Sequence, residues 1–122
     1  MRMKKFDTET TLIKKGYQRF NPGPFDDECV VDCYQSAFRD EKGDRKYFLT
    51  WRKWDFSRYE DANHPDLSKP TFEGDTQLTT KDGEVINITF LCGWDPEKTE
   101  EFMKKLFDTG WFKKYDDRDE EE

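Results

Sequence analysis

Three cysteines, one histidine and a dense supply of carboxylates are the side chains of this 122-residue chain with the types to do chemistry. Cys29, Cys33 and Cys92 with His64 would suit a zinc centre, but their spacing does not. Cys29 and Cys33 are four residues apart in a predicted strand, which separates their Cα atoms by roughly 13 Å. Zinc needs its sulfurs within about 2.3 Å of one ion. The same separation excludes a disulfide between the two, and an odd cysteine count leaves no complete disulfide framework. Both are expected to be buried structural thiols, with no metal and no cofactor. His64 stands beside Pro65 and Asp66 in a polar stretch, without a Gly-rich loop or a nucleophile motif. Nothing there assembles a general base with a partner. Asp26-Asp27-Glu28 and Glu60-Asp61 are carboxylate clusters, but at 40% charged residues such clusters arise by chance. No catalytic residue is assigned, and the expectation is a protein that is not an enzyme.

The elements that would position these groups must come from an unusual composition. Hydrophobic residues are 33% of the chain and aromatic ones 16%, so rings have to supply much of the core. The length suits one domain with one core. The net charge of −7 is concentrated in residues 116–122, D-D-R-D-E-E-E, which sum to −5 and leave −2 for the rest. Residues 1–115 are therefore expected to fold as a single domain, followed by a disordered acidic tail over 116–122. Residues 1–20 carry an opposite charge of +4. No apolar signal segment follows M-R-M-K-K, and no apolar run approaches the ~20 residues of a membrane span. A cytoplasmic location without membrane contact is the default expectation.

Residues 7–15 read as a short helix, with Asp7 as cap and Lys14-Lys15-Gly16 as its end. Pro22 and Pro24 make residues 17–25 an extended arm. Strands are expected over 28–39 and 45–56 around Glu41-Lys42-Gly43, then over 71–80 and 84–91 around Lys81-Asp82-Gly83. A three-residue loop with its glycine as a left-handed bulge pairs Thr80 with Glu84. It sets Leu78 against Ile86, Thr76 against Ile88 and Gly74 against Phe90, and gathers the apolar side chains on one face. The same loop in the first hairpin opposes Asp32 to Arg52 and Cys33 to Trp51, and places a like-charge Asp40/Asp44 pair at its mouth. Its core face would then hold Cys29, Val31, Cys33, Ala37, Tyr47, Leu49 and Trp51. A second helix starts at the cap Asp95 with Pro96 in its first turn, and stops at Gly110. Phe102, Met103, Leu106 and Phe107 form its apolar stripe. Glu100/Lys104 and Glu101/Lys105 have the spacing of favourable pairs. The order α-β-β-β-β-α predicts an α+β fold: a four-stranded antiparallel sheet of two hairpins with both helices on one face.

The stretch K-Y-F-L-T-W-R-K-W-D-F from Lys46 to Phe56 places aromatic residues on both faces of a strand. One face supplies the core. The other must be covered or is a contact surface. In this register that surface is Val30, Tyr34, Phe38, Phe48, Trp54 and Phe56. Its occupant is the arm with Tyr17, Phe20 and Phe25, a second copy in a homodimer, or a foreign protein partner. Lys46, Arg52 and Lys53 interleave with aromatics as on base-stacking sheets. The glycine pattern of such sheets is missing, however, and the acidic tail opposes phosphate, so nucleic acid is not the expected partner. The leading expectation is a small non-enzymatic binding protein. Two alternatives remain. One is a nucleic-acid-mimicking inhibitor of a nuclease or DNA-binding protein, of the kind found on phage or mobile elements. The other is a small enzyme of unknown reaction.

Overall fold

A computed structural model describes residues 8–24, 26–55, 71–91 and 95–115. The elements are α1 (Thr8–Lys14), β1 (Gln18–Phe20), β2 (Val30–Arg39), β3 (Arg45–Trp54), β4 (Thr71–Thr79), β5 (Val85–Phe90) and α2 (Pro96–Asp108). The fold is α+β, as expected, with an antiparallel sheet and helices at both ends of the chain. The sheet has five strands, not four, in the order β1-β2-β3-β4-β5. The additional strand lies in the arm. Gln18, Arg19 and Phe20 pair with Gln35, Tyr34 and Cys33. Arg19 is held there by Asp32, its Nη2 lying 2.7 Å from the carboxylate. The outer edge of the ten-residue β2 would otherwise be open over its whole length.

The second hairpin has the expected register, with Leu78 opposite Ile86, Thr76 opposite Ile88 and Gly74 opposite Phe90. Thr80 N–H donates to the Glu84 carbonyl at 2.8 Å, and Gly83 takes a φ of 93° that a side chain would disfavour. The first hairpin keeps the expected loop, since Asp40 N–H donates to the Asp44 carbonyl and Gly43 has a φ of 85°. Its register beyond the loop differs from expectation by one residue. Arg39 still faces Arg45, but Phe38 faces Tyr47, so Lys46 is an extra residue bulged out of β3. Cys33 consequently meets Arg52, and Tyr34 meets Trp51. A second irregularity at Val31 restores the original offset, and Val30 faces Trp54. Between the two bulges every side chain of β2 is on the face opposite to the one expected. The energetic reason is the core. The bulge brings Tyr34 and Phe38, rather than Cys33 and Ala37, beside Tyr47, Leu49 and Trp51. Phe38 stacks on Tyr47 with ring centroids 4.9 Å apart, and Tyr47 stacks in turn on Phe107 at 5.0 Å.

Both helices cover this aromatic face. Leu12 from α1 and Met103 and Phe107 from α2 join Tyr17, Tyr34, Tyr47, Leu49, Trp51, Leu78 and Phe90 in one cluster. The Asp95 carboxylate caps α2 by accepting from Glu97 N–H at 2.7 Å, and Gly110 ends it at a φ of 79°. Two carboxylates tie the helices to the rest of the fold. Glu9 of α1 accepts from the Tyr34 hydroxyl at 2.8 Å and from Lys53 at 3.2 Å. Glu100 of α2 accepts from the Tyr17 hydroxyl at 2.9 Å and pairs with Lys15 at 2.7 Å. Glu100 thus reaches across to the N-terminal segment. Asp7, the expected cap of α1, and the tail 116–122 lie outside the described residues. None of the helices among the described residues is long and apolar enough to cross a membrane.

Candidate functional site

Strand alternation and the two bulges decide which expected contact residues reach the open face, the side away from the helices. Phe48 reaches it, as do Trp54 and its cross-strand neighbour Val30. Val30 is buried and Trp54 half-buried. Tyr34 does not reach it, because the bulge at Lys46 turns its ring into the core, where it is fully buried. Phe38 is turned to the helix side for the same reason and packs edge-on against Tyr17 at 6.2 Å. Phe56 lies outside the described residues, as does His64. Among the five described, Tyr34 and Phe38 lie in or against the core and Val30 is buried, so they do not join Phe48 and Trp54 in one exposed aromatic surface.

What the open face does carry is a groove. β3 and β4 pair from Thr50↔Asp75 to Trp54↔Thr71 and have no further paired residues toward the two hairpin loops. The chain after α2 enters the resulting gap. Phe112 bridges to Thr80, Lys113 N–H donates to the Thr79 carbonyl at 2.8 Å, and Tyr115 N–H donates to the Lys46 carbonyl at 3.0 Å. Phe112 packs toward the core against Phe107 at 6.0 Å. Tyr115 lies on the open face, edge-on to Phe48 at 4.8 Å. The Arg45 guanidinium sits over both rings, 5.0 Å from Phe48 and 5.1 Å from Tyr115, in cation–π geometry. Lys114 anchors the segment through an ion pair with Asp40 and a 3.6 Å contact with Asp44. That cation offsets the like-charge pair expected at the loop mouth, holds the Asp40 carboxyl below its ordinary range and is itself pushed up by it.

The groove has a volume of about 360 Å³. Phe48 and Tyr115 form its aromatic wall, Thr50, Thr76 and Gln77 offer polar groups, and Lys46 and Lys113 stand on its rim. Thr76 also donates its hydroxyl to the Phe48 carbonyl, which satisfies an acceptor left open where the strands part. Sequence reasoning singles out Phe48 and Lys46 but misses Tyr115 and Lys113. Trp111, just before this segment, is 70% exposed.

The other end of the open face is closed by the chain leading into β2. Arg52 is held between Asp26, at 3.2 Å, and Asp75. Burial opposes its charge, but Asp75 and Asp26 more than offset this and raise its pKa. Asp26 also accepts from Gly23 N–H at 2.7 Å, and Asp27 accepts from Cys29 N–H at 2.9 Å. The Asp26-Asp27-Glu28 cluster is therefore engaged in shaping this crossing, while Glu60-Asp61 lies outside the described residues. Cys33, opposite Arg52, is buried, and burial, then Asp26, raises its thiol pKa. Contrary to expectation, it lies on the open side rather than under the helices, between Phe20 of β1 and Arg52 of β3. Among the described residues no group of three or more His, Cys, Asp or Glu side chains could hold a metal ion. The chain is a small α+β domain with aromatic clusters at its surface. Compared with models of protein families, with curated proteins and with solved structures, it matches none.

Proposed function

We propose that the chain is a small non-enzymatic interaction protein whose contact site is the open-face groove. The observation that carries this reading is the Phe48–Tyr115 wall at a split in the sheet, rimmed by Lys46 and Lys113. Aromatic rings supply contact area at low entropic cost, and flanking cations select among partners. The partner that fits is a protein segment presenting an apolar side chain beside carboxylates. Further support comes from how the reactive-type groups are used. Glu9, Asp26, Asp32, Asp40, Asp75 and Glu100 all engage in pairs that hold elements together. The site residues of this reading are Phe48, Tyr115, Lys46, Lys113 and Gln77, with Trp54 retained at the far end of the same face.

Gln77 is exposed on the groove margin, so Gln77→Glu sets a carboxylate against those of the partner without disturbing the core. Crosslinking pull-downs from the native cell should use wild type, Gln77→Glu and, as a control on the helix side, Lys104→Glu. A partner that wild type and the control retain and Gln77→Glu loses supports the reading. The same proteins recovered by all three chains would overturn it.

A further inference from the structure

The two edges of the sheet are unlike. β1 is three residues long, contains Arg19 and runs directly into Pro22 and Pro24, all features that discourage pairing with another chain. β5 is six residues long, Val-Ile-Asn-Ile-Thr-Phe, with no charge and no proline. Even-numbered residues of β5 pair inward with Gly74, Thr76 and Leu78 through the ladder. The backbone groups of Val85, Asn87 and Thr89 therefore point outward, and among the described residues no strand lies beyond them. Large apolar side chains are exposed along the same edge: Val85 by 55%, Ile86 by 38% and Leu91 by 61%. Phe102 of α2, 41% exposed, extends this surface over Phe90, with ring centroids 6.1 Å apart.

We infer that β5 is a self-association edge and that its occupant is β5 of a second copy of this chain, giving one continuous antiparallel sheet. Register arithmetic supports the commitment to self. With a two-fold axis at Ile88, Ile88 faces its own copy, Ile86 faces Phe90 on the helix side, and Asn87 faces Thr89. Val85 then faces Leu91, so the two most exposed apolar residues of the edge cover each other. No charge opposes a like charge, because the paired stretch has none. An axis at Asn87 instead sets the Glu84 carboxylate against Phe90 and leaves Leu91 uncovered, so hydrophobic register selects the Ile88 axis. The exposed side chains and the backbone edge of two copies bury together on the order of 1,000 Å², the lower bound of a specific interface. A concentration-dependent dimer rather than an obligate one follows. The contact is isologous, hence closed at two copies.

Analytical ultracentrifugation up to about 100 µM tests this, with dimer expected to accumulate as concentration rises. Thr89→Pro removes only an outward N–H, so the monomer keeps its ladder and its melting temperature while association weakens at least about tenfold. Val85→Lys and Leu91→Glu each weaken self-association. Mixing these two chains sets ammonium against carboxylate at one register pair and leaves Val against Leu at the other, so a heterodimer forms. A monomer at all concentrations, a series of species larger than dimers, a dimer that survives Thr89→Pro, or failure of the mixed pair overturns the inference. The open-face reading is untouched by any of these results, since its Phe48–Tyr115 wall lies on β3 and the chain after α2, away from this edge.

Discussion

Gly74→Ala isolates the packing that defines this sheet. Gly74 lies opposite Trp51 on β4, and the Trp51 ring lies across it. A Cβ at position 74 would fall 2.8 Å from Trp51 Cε3 and 2.9 Å from Cδ2 and Cζ3. The backbone of Gly74 is not in the left-handed region, so alanine is conformationally allowed there. Two effects of opposite sign then compete. Reduced freedom of the unfolded chain favours alanine by about 0.4–1 kcal/mol. Overpacking a fixed ring costs about 1–3 kcal/mol. The ring cannot yield easily, because Trp51 is fully buried and Phe90 lies beside it with centroids 6.5 Å apart. The overpacking term should win, for a net loss of about 1–2 kcal/mol and a urea midpoint lower by roughly 1 M. Trp51→Leu is itself costly through the cavity it leaves. In that background, however, the added methyl has space, and Gly74→Ala should become neutral or stabilising. The two substitutions should couple by more than about 1 kcal/mol in a double-mutant cycle. A Gly74→Ala chain as stable as wild type, or an equal loss in both backgrounds, would refute the argument.

The Tyr34 hydrogen bond, then the one from Lys53, hold the Glu9 carboxyl below its ordinary value of 4.5. A depressed folded-state value gives stability that is present above the unfolded pKa and lost as pH falls through the folded one. Wild type should therefore lose melting temperature on acidification below about pH 4.5 more steeply than Glu9→Gln, and parallel slopes would show that Glu9 is not the group responsible. Cys29 and Cys33 are both buried, and the Cys33 thiol is pushed up by burial. Neither should react with a disulfide reagent near pH 8 until urea is added, as peptide mapping would show; rapid labelling of Cys33 in the native protein would mean that its burial between β1 and β3 is not maintained in solution.

The parts of the fold legible in the sequence were those decided by local chemistry. Asp95-Pro96 and Gly110 mark the ends of α2 by capping, a missing N–H and a left-handed residue, none of which needs tertiary information. The second hairpin was legible because only one loop length put Leu78, Ile86, Ile88 and Phe90 on one side. β1 was not legible because three residues carry no alternation, and its pairing depends on Asp32 holding Arg19. The first hairpin failed at a single residue. Counting from its x-x-Gly loop gave a defined register, and the loop was as expected. Yet one bulged residue, Lys46, inverts every facing from Asp32 to Phe38. A signal was present: Tyr34 and Phe38 offer far more apolar area to Tyr47, Leu49 and Trp51 than Cys33 and Ala37 do, and the x-x-Gly loop provides it only with a bulge.

The groove shows why the candidate site was harder to read than the fold. Its aromatic wall joins Phe48, from the middle of β3, to Tyr115, in a segment with neither helical nor strand periodicity. What brings them together is a chain of dependencies. The bulge at Lys46 keeps the Lys46 carbonyl open to Tyr115 N–H, the parting of β3 from β4 admits residues 112–115, and Asp40 and Asp44 hold Lys114. The pair of aspartates that appeared to count against the hairpin loop is the anchor of the segment that builds the site. Each residue is ordinary in its own stretch of sequence. The site exists only because a carboxylate pair at one hairpin mouth and a lysine about 70 residues later meet in space, and that meeting is a tertiary fact that no spacing in the sequence expresses.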